Sequence, residues 1–508
     1  MRIAILGDVG QPVYHVGDEA MTHACIEELA SRGLRDVLVL TRDEADSHRR
    51  FGTNAALTVP FPWPPQERSA YLDHVLRAAG GDRGALPPED PAWAFISALG
   101  TCDALLIAGG GNMNSLYGWL LYERAAAALI AKKLGLTVVV AGQTFGPALH
   151  GRDRDVLSEL VASASLVGAR EPHSLGLGRG LPGDRTGAVT PCLDDASFFA
   201  SRASVSEELA ATVPAGPYIA ATFSGGHGPV DRSDYIGAVA ALLDEAATKT
   251  GGQVVFLPHM ATPGMGDGDE AMHAELAAAM RCKPTLLPIQ SAEDTAALTA
   301  GAAMVITSRY HPVIFALDAG IPVVAIACEN YSYVRLNGAL RNWGLGPLAL
   351  PLPSLFDGTA GESIDESWTR RGEIAEHLAA ARPRLHSGAV KWWDAIVETL
   401  GAPGETALVQ GQGLGAEVRA SEEPQNRFEF GRPWANRAAI SGAIFLPMSA
   451  EAADLQVERE HLAGRLDQAL LDRDAAQDNL NRWLSSRSYA LTRTLVHAGK
   501  FIRGKARQ

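Results

Sequence analysis

The sequence predicts an α/β fold of two doubly wound domains followed by a helical tail. Short hydrophobic segments alternate with stretches of helical apolar spacing, such as 17–32 and 117–134, and this alternation is typical of parallel sheets covered by helices. Two series of buried strands are expected, at 2–6, 37–40, 104–108, 137–141 and 166–169, then at 218–222, 253–257, 285–287, 304–307 and 323–327. We therefore expect one domain over 1–205 and a second, with return helices, over 216–400, facing each other across a cleft.

The composition excludes several classes of protein. The chain has 508 residues, 47% of them hydrophobic, and its formal charge of −14 argues against general nucleic-acid binding. Five scattered cysteines lack the paired spacing of zinc or redox sites, so we expect a reduced, cytoplasmic compartment and no bound metal. No apolar stretch is long enough to cross a bilayer, and the first apolar run is too short for a signal peptide.

The chain changes character twice beyond residue 400. Residues 401–446 are rich in Gly, Pro, Glu and Gln with little periodicity, which predicts a linker. Residues 447–508 predict a helical tail, in which six apolar residues approximate a heptad seam: Leu455, Leu462, Leu466, Ala469, Leu480 and Trp483. A helical hairpin, a weak coiled coil and a solvated single helix all fit this pattern, because charged residues crowd the seam.

The end of the tail is basic. From residue 479 to residue 508 there are seven Lys or Arg and no Asp or Glu. Leu484, Leu491, Leu495 and Ile502 can share one helical face beside basic residues, which predicts peripheral contact with anionic lipid at the inner face of a membrane. A helix docked on the body or on another subunit explains the same pattern equally well.

The most informative local pattern spans residues 304–326. It predicts a buried strand, a polar turn with Ser308, Arg309 and His311, a short helix that ends at Gly320, and another strand. In open α/β sheets such turns lie at the carboxyl edge, where ligands bind. A helix amino terminus favours negative charge, an arginine can pair with carboxylate or phosphate, and a histidine can transfer a proton near neutral pH. The turn is therefore a candidate anion site.

Two glycine motifs in the first half also follow strands. Gly17 and Asp18 precede a helix, where the glycine permits close backbone approach and the carboxylate can orient a sugar hydroxyl or simply cap the helix. Gly110, Gly111 and Asn112 end a hydrophobic strand, so their backbone amides are candidates to bind an anion or a sugar. A tight strand-to-helix turn is the alternative. The spacing fits neither a dinucleotide fingerprint nor a P-loop.

Three further polar residues follow predicted strands. Gln143 lies between glycines at the presumed cleft, and Arg170 follows a short apolar strand as a candidate anion ligand, although a surface ion pair with Glu171 would be the ordinary explanation. His259 ends another strand and is a second candidate for proton transfer. No motif for a metal site or for a serine hydrolase is present in the sequence.

Taken together, the motifs resemble the polysaccharide pyruvyltransferase family. The resemblance covers roughly residues 1–345, and it depends on the joint order of motifs that occur at 17–20, 109–111, 142–147, 169–174, 194–196, 258–259, 308–311 and 320–322. It implies a two-domain, Rossmann-like fold of the glycosyltransferase-B type. It also implies transfer of the enolpyruvyl unit of phosphoenolpyruvate to two hydroxyls of a sugar, to give a pyruvate ketal of an exported or cell-surface polysaccharide.

The resemblance assigns roles to the candidate residues. Arg170 and Arg309 would each pair with one anionic group of phosphoenolpyruvate. His311 would be the acid or a phosphate ligand, and Asp18 would orient or deprotonate the acceptor, a sugar or a lipid-linked glycan. The donor is a substrate, so no cofactor is expected. Homo-oligomers are compatible with the sequence.

Two positions depart from the family pattern. His15 stands where members often have Asn, and the stretch 328–345 lacks the usual lysine, which Arg335 could replace. Two other functions therefore remain open, a nucleotide-sugar-dependent glycosyltransferase of the same architecture and a non-catalytic scaffold of the glycan machinery.

Overall fold

The computed structural model describes residues 1–61, 67–184, 187–205, 207–401 and 427–485. Within these ranges the strands are, in chain order, β1 (Arg2–Leu6), β2 (Tyr14–His15), β3 (Asp36–Thr41), β4 (Asn54–Leu57), β5 (Ala104–Ile107), β6 (Gly110–Met113), β7 (Thr137–Phe145), β8 (Leu166–Ala169), β9 (Val189–Pro191), β10 (Tyr218–Thr222), β11 (Gln253–Phe256), β12 (Met260–Ala261), β13 (Thr285–Leu286), β14 (Met304–Thr307), β15 (Val323–Ala327) and β16 (Ala349–Pro351).

The α-helices of the described ranges alternate with these strands. They are α1 (Val16–Ser31), α2 (Glu44–Phe51), α3 (Arg68–Ala79), α4 (Pro91–Leu99), α5 (Gly118–Lys133), α6 (Gly151–Ser163), α7 (Pro172–Arg179), α8 (Glu207–Ala210), α9 (Arg232–Thr250), α10 (Gly268–Ala279), α11 (Ala292–Ala300), α12 (Tyr310–Ala319), α13 (Asn330–Asn342), α14 (Thr359–Thr369), α15 (Arg371–Gly401) and α16 (Arg432–Ser485).

Two parallel sheets form the body. The first has the order β4-β3-β1-β5-β7-β8-β9, with β6 paired to β7, and the second has the order β13-β11-β10-β14-β15-β16. The central strands β1, β5, β14 and β15 are almost entirely buried, because helices cover both faces of a doubly wound sheet. The predicted α/β fold class is confirmed. The sequence did not predict the short strands β2, β4, β6, β9, β12 and β16.

A two-stranded antiparallel sheet joins the halves. Strand β2 precedes α1 in the first half and pairs with β12 of the second half, with His15 opposite Met260 and Tyr14 opposite Ala261. The backbone N–H of Val16 also donates to the carbonyl of His259 at 3.1 Å. These contacts fix the amino end of α1 against the second sheet, so residues of both halves meet at one place.

Helix α15 returns from the second half to the first. Its early residues Ile374 and Leu378 belong to the core of the second half, whereas Trp392, Trp393 and Ile396 pack on the first sheet. Pro383 lies inside this 31-residue helix. The helix therefore contributes to both hydrophobic cores, whereas the sequence prediction counted residues 371–400 as return helices of the second domain.

The prediction of a linker over 401–446 is wrong for its last part. Residues 402–426 lie outside the described ranges, but Phe430, Trp434 and Ala438 belong to the core of the second half and Phe428 packs against it, and α16 already begins at Arg432. Aromatic burial outweighs the polar composition of the neighbouring sequence here. The next part, up to residue 485, is a single continuous helix rather than a hairpin. The predicted lipid-facing residues beyond Leu484 lie outside the described ranges.

No helix within the described ranges is both long enough and apolar enough to cross a membrane.

Candidate active site

A cleft of about 740 Å³ lies between the carboxyl edges of the two sheets. Residues of both halves line it. They include Asp8, His15, Gly17, Asp18, Gly111, Asn112 and Arg170 from the first half and His259, Ser308, Arg309, Tyr310, His311, Tyr331 and Arg335 from the second. Most of the predicted site residues therefore come together, as expected for loops at the carboxyl edges of parallel strands. The volume is in the range of ordinary small-molecule sites.

Arg309 is held by a buried carboxylate. Its Nε lies 3.2 Å from both carboxylate oxygens of Asp269, and its second terminal nitrogen donates to Oδ1 at 2.5 Å. Asp269 lies in the first turn of α10, is fully buried, and also accepts hydrogen bonds from the backbone N–H groups of His259 and Met260. A bidentate, charge-assisted pair fixes the guanidinium plane. Arg309 keeps partial exposure toward the cleft, but much of its hydrogen-bonding capacity is already used.

Arg170 is also ion-paired. One terminal nitrogen donates to Asp194 at 2.6 Å, Nε donates to Thr144 at 3.0 Å, and the side chain is almost fully buried. The guanidinium carbon lies 4.3 Å from the ring centre of Tyr310, so the cation also contacts an aromatic face. The charge of Arg170 is therefore already paired with Asp194, and the main role of this residue is to hold neighbouring side chains in position at the base of the cleft.

Arg335 differs from both of these arginines. Among the described residues no carboxylate lies within ion-pair distance of its guanidinium, and its Nε is buried without a hydrogen-bond partner. The group stacks on Tyr331, with 4.0 Å between the guanidinium carbon and the ring centre. A partly buried cation without a counter-ion is unfavourable, so this position favours an incoming anion.

Gly111 lies beside the guanidinium groups of Arg170 and Arg335, and its lack of a side chain leaves space for both. A Cβ added there would lie 3.1 Å from a terminal nitrogen of Arg170, 3.1 Å from one of Arg335 and 2.8 Å from the hydroxyl of Tyr331. Its carbonyl accepts a hydrogen bond from that hydroxyl. Any side chain would therefore occupy the space between the two guanidinium groups. The sequence predicted an anion-binding glycine turn here, but residues 110–113 form strand β6 rather than a turn.

The other predicted residues of this region divide between cleft and core. Asn112 lines the cleft and its Nδ2 donates to Asp8 at 3.4 Å. Gln143 is fully buried, its Nε2 donates to the carbonyl of Ala108 at 2.5 Å, and it does not line the cleft. Gly110 leaves room for Gln143, whose Oε1 would lie 3.2 Å from an added Cβ. Gln143 and Gly110 therefore support the site from behind.

His311 lies at the amino end of α12, wedged against α1. Its Nε2 is 3.9 Å from Asp194 and has no hydrogen-bond partner within the described part of the chain, and a Cβ on Gly17 would overlap its ring. Burial lowers the pKa of His311 to about 4, although the negative charge of Asp194 opposes the shift. The imidazole is therefore neutral at pH 7 in the unliganded protein. The sequence predicted that Gly17 permits close approach to a ligand, but in the structure Gly17 lies against the His311 ring.

The pKa of His15 is raised, whereas that of His311 is lowered. Its Nδ1 lies 3.1 Å from Oδ2 of Asp18, and both side chains line the cleft. Burial would lower the pKa of His15, but the hydrogen bond to Asp18 and the charges of Asp18 and Asp8 raise it above its ordinary value. Asp18 is thus hydrogen-bonded to His15, a residue that the sequence analysis noted only as a departure from the family pattern. The pair resembles the carboxylate-oriented histidines of general acid and base catalysis.

His259 and Ser308 complete the wall of the cleft. Burial lowers the pKa of His259 well below its ordinary value, and neither ring nitrogen has a hydrogen-bond partner among the described residues. The positive charge of nearby Arg309 adds to that shift. The Ser308 hydroxyl accepts the backbone N–H of Ser224 at 3.0 Å. A neutral His259 is poorly suited to donate a proton at neutral pH.

Sequence reasoning missed Asp8 and underrated Arg335. Asp8 lies two residues after the end of β1 and pairs with Arg42 at 2.7 Å, and the placement of a carboxylate near a strand end could have revealed it. Burial would raise the pKa of Asp8, but the charges of Arg124 and Arg42 lower it. Arg335 lies inside α13, two turns from any strand end. The helical pattern alone could not show that it reaches the cleft.

One group in the described ranges could approach a metal ion. The ligand atoms of Glu19, His23 and Glu293 lie within 4.8 Å of one another. Arg50 already donates to Glu19 at 3.0 Å, and none of the three lines the cleft. A guanidinium at this distance competes with a cation, so the geometry does not favour metal binding.

Comparison with known proteins identifies the family. A model of the family described as polysaccharide pyruvyl transferase matches residues 15–330. The amylovoran biosynthesis protein AmsJ of Erwinia amylovora is 26% identical over 306 residues, which cover 56% of this chain and 70% of that protein. The solved structure of a UDP-N-acetylglucosamine 2-epimerase homologue from Listeria monocytogenes has a TM-score of 0.51 at 10% identity, and covers 78% of this chain and 94% of that one. That likeness concerns the glycosyltransferase-B-like fold alone. The match over more than half of the sequence shows that the chain belongs to the polysaccharide pyruvyl transferase family.

Proposed function

We propose that this protein transfers the pyruvyl group of phosphoenolpyruvate to two hydroxyls of a sugar in a polysaccharide or lipid-linked glycan, forming a ketal and releasing phosphate. The observation that carries the proposal is Arg335, a cleft guanidinium without a carboxylate partner among the described residues. Family membership supports the reaction type.

The donor carries a phosphate and a carboxylate, and the cleft offers cations at two places. Arg335, beside Gly111 and the outer nitrogen of Arg170, would bind one anionic group. Arg309, which is fixed by Asp269 and also lines the cleft, would bind the other. The amino end of α12 adds its partial positive charge between them. No cofactor beyond the donor is required.

The reaction begins with a proton. The methylene carbon of the donor gains a proton and becomes a methyl group, one sugar hydroxyl attacks the adjacent carbon, the C–O bond to phosphate breaks, and the second hydroxyl closes the ketal. Each hydroxyl loses its proton as its oxygen bonds to carbon. One of these protons replaces the proton given to the methylene carbon, and the other leaves with phosphate. We assign the proton donor to His15, because Asp18 holds its imidazole in the cleft and keeps it charged at higher pH than His311. His311 would instead donate a neutral hydrogen bond to the donor phosphate.

Incubation with phosphoenolpyruvate and a panel of free and lipid-linked sugars tests the proposal. The expected result is one phosphate released for each acceptor modified, and a product heavier than the acceptor by pyruvate minus one water. A matched pair of variants on α13, Arg335→Gln in the cleft and Arg341→Gln on the exposed surface, separates donor binding from general effects. Release of nucleoside diphosphate from a nucleotide sugar, without consumption of phosphoenolpyruvate, would instead identify a glycosyltransferase.

A further inference from the structure

The distal part of α16 leaves the body of the protein. Near its start, Trp434 and Ala438 are buried in the core of the second half. Farther along, five large apolar side chains are 48–65% exposed, and these are Met448, Leu455, Leu462, Leu466 and Leu480. Monomeric proteins seldom leave a long contiguous apolar stripe in water, so this surface needs a partner.

The exposed residues follow a strict heptad. From Met448 to Leu480 the spacing alternates between four and three residues, and the positions are Met448, Ala452, Leu455, Arg459, Leu462, Leu466, Ala469, Arg473, Ala476 and Leu480. Eight of these ten positions are apolar. A repeat of 3.5 residues sustained over more than four heptads is the pattern of a left-handed coiled coil. It therefore predicts a second helix as the partner, rather than a flat surface or a groove.

The orientation of α16 leaves this seam accessible. Oδ1 of Asp454 lies 2.9 Å from Nε2 of His150 in the first half, so that face of the helix is directed toward the body. Asp454 occupies the heptad position c, on the half of the helix away from the seam. The seam is therefore directed away from the body, where a second helix can approach it.

The charges argue for a helix and against lipid. Between Met448 and Ser485 the chain carries eight acidic and four basic residues, and this negative excess opposes adsorption to an anionic membrane. Two of the basic residues, Arg459 and Arg473, occupy seam positions of type a. In a parallel pair, a residue at position a lies beside position g of the partner. Position g before Arg459 is Glu458, so each copy supplies a carboxylate to the arginine of the other.

We propose that the distal half of α16 pairs with the same segment of a second copy of this chain, as a parallel two-stranded coiled coil that makes the protein a dimer. Symmetric pairing buries Leu466 and Leu480 against their counterparts and gives Arg459 an acidic neighbour. Two arginine layers weaken the association, so we expect a dimer that dissociates on dilution. The two catalytic clefts remain separate, and this proposal is independent of the reaction that they catalyse.

Two substitutions on the same helix test the proposal in the full-length protein. Leu466→Glu places a carboxylate in the seam, whereas Leu471→Glu changes a similarly exposed leucine on the opposite face. Sedimentation velocity over a range of concentrations should show a dimer for the unchanged protein and for Leu471→Glu. The dissociation constant of Leu466→Glu should rise by about 100-fold or more, because burial of an unpaired charge costs several kcal/mol. Circular dichroism should show that both variants keep their helical content.

A third variant tests the orientation. Leu455→Cys places thiols opposite each other only in a parallel pair, so mild oxidation should give a covalent dimer that the unchanged protein does not form. A monomeric unchanged protein at every concentration would overturn the proposal, and so would equal dissociation of both glutamate variants. A dimer that resists Leu466→Glu would place the interface elsewhere and would also overturn it.

Discussion

Replacement of Arg335 should weaken donor binding without loss of stability. In Arg335→Gln the cleft loses its uncommitted guanidinium, but no described carboxylate is left unpaired. Hydrogen bonds to charged groups contribute about 1.5–3 kcal/mol each. One such bond corresponds to a rise of about 10- to 100-fold in KM for phosphoenolpyruvate.

The stability of this variant should hardly change. The main native contact that disappears is the cation–π contact with Tyr331, 4.0 Å from the guanidinium carbon. Such contacts contribute about 0.5–1 kcal/mol, so the free energy of unfolding should fall by about 1 kcal/mol at most. Arg309→Gln should behave differently, because it removes the ion-pair partner of the fully buried Asp269. Loss of one partner of a buried pair costs about 3–5 kcal/mol, here near the lower limit because two backbone N–H groups still bind Asp269.

Urea denaturation and phosphate-release kinetics measure the two effects separately. Arg341→Gln, on the exposed surface of the same helix, is the control and should change neither quantity. An unchanged KM for phosphoenolpyruvate in Arg335→Gln would rule out a role of Arg335 in donor binding. A loss of stability as large as that of Arg309→Gln would show that Arg335 has a structural role instead.

Three further predictions concern the site and its support. The raised pKa of His15 keeps its imidazole protonated to higher pH than usual, and the rate should fall as the pH rises through that pKa. His15→Asn should lower the rate and remove this decline. A decline that persists in His15→Asn would contradict the assignment of His15 as proton donor. Gly17→Ala should displace the His311 ring, and a shift of about an ångström should lower the activity by about 100-fold. Gly372→Ala is the control, because a methyl group there enters open space and should leave the rate unchanged. Trp392→Ala should lower the free energy of unfolding by about 3–5 kcal/mol, because the Trp392 ring is buried between α15 and the first sheet. A smaller loss of stability in urea denaturation would show that packing of α15 on the first sheet does not stabilise the protein.

The sequence predicted the elements of the body well for a physical reason. Strands such as β1, β5, β14 and β15 are buried on both faces, so each reads as a continuous hydrophobic run. The missed strands β2 and β12 have two residues each and exist because they pair with each other across the two halves. No local pattern carries that information.

The candidate site shows the same division. Arg309 and His311 were predicted because a polar turn follows a buried strand, and that signal is local. Their partners were not predictable, since Asp269 lies forty residues away in sequence and Asp194 more than one hundred. Those partners decide the chemistry, because they determine which arginine is committed and which histidine is charged. The error over residues 427–446 has a similar origin, as Phe428, Phe430 and Trp434 pack on a core formed by earlier residues.

The proposed pyruvyl transfer requires protonation of the donor methylene group, and a reaction in deuterium oxide reports that protonation. With phosphoenolpyruvate and an acceptor sugar, we expect a ketal whose methyl group carries one deuterium, together with one phosphate for each ketal. A product without deuterium in that methyl group, or modification of the sugar without consumption of phosphoenolpyruvate, would contradict it.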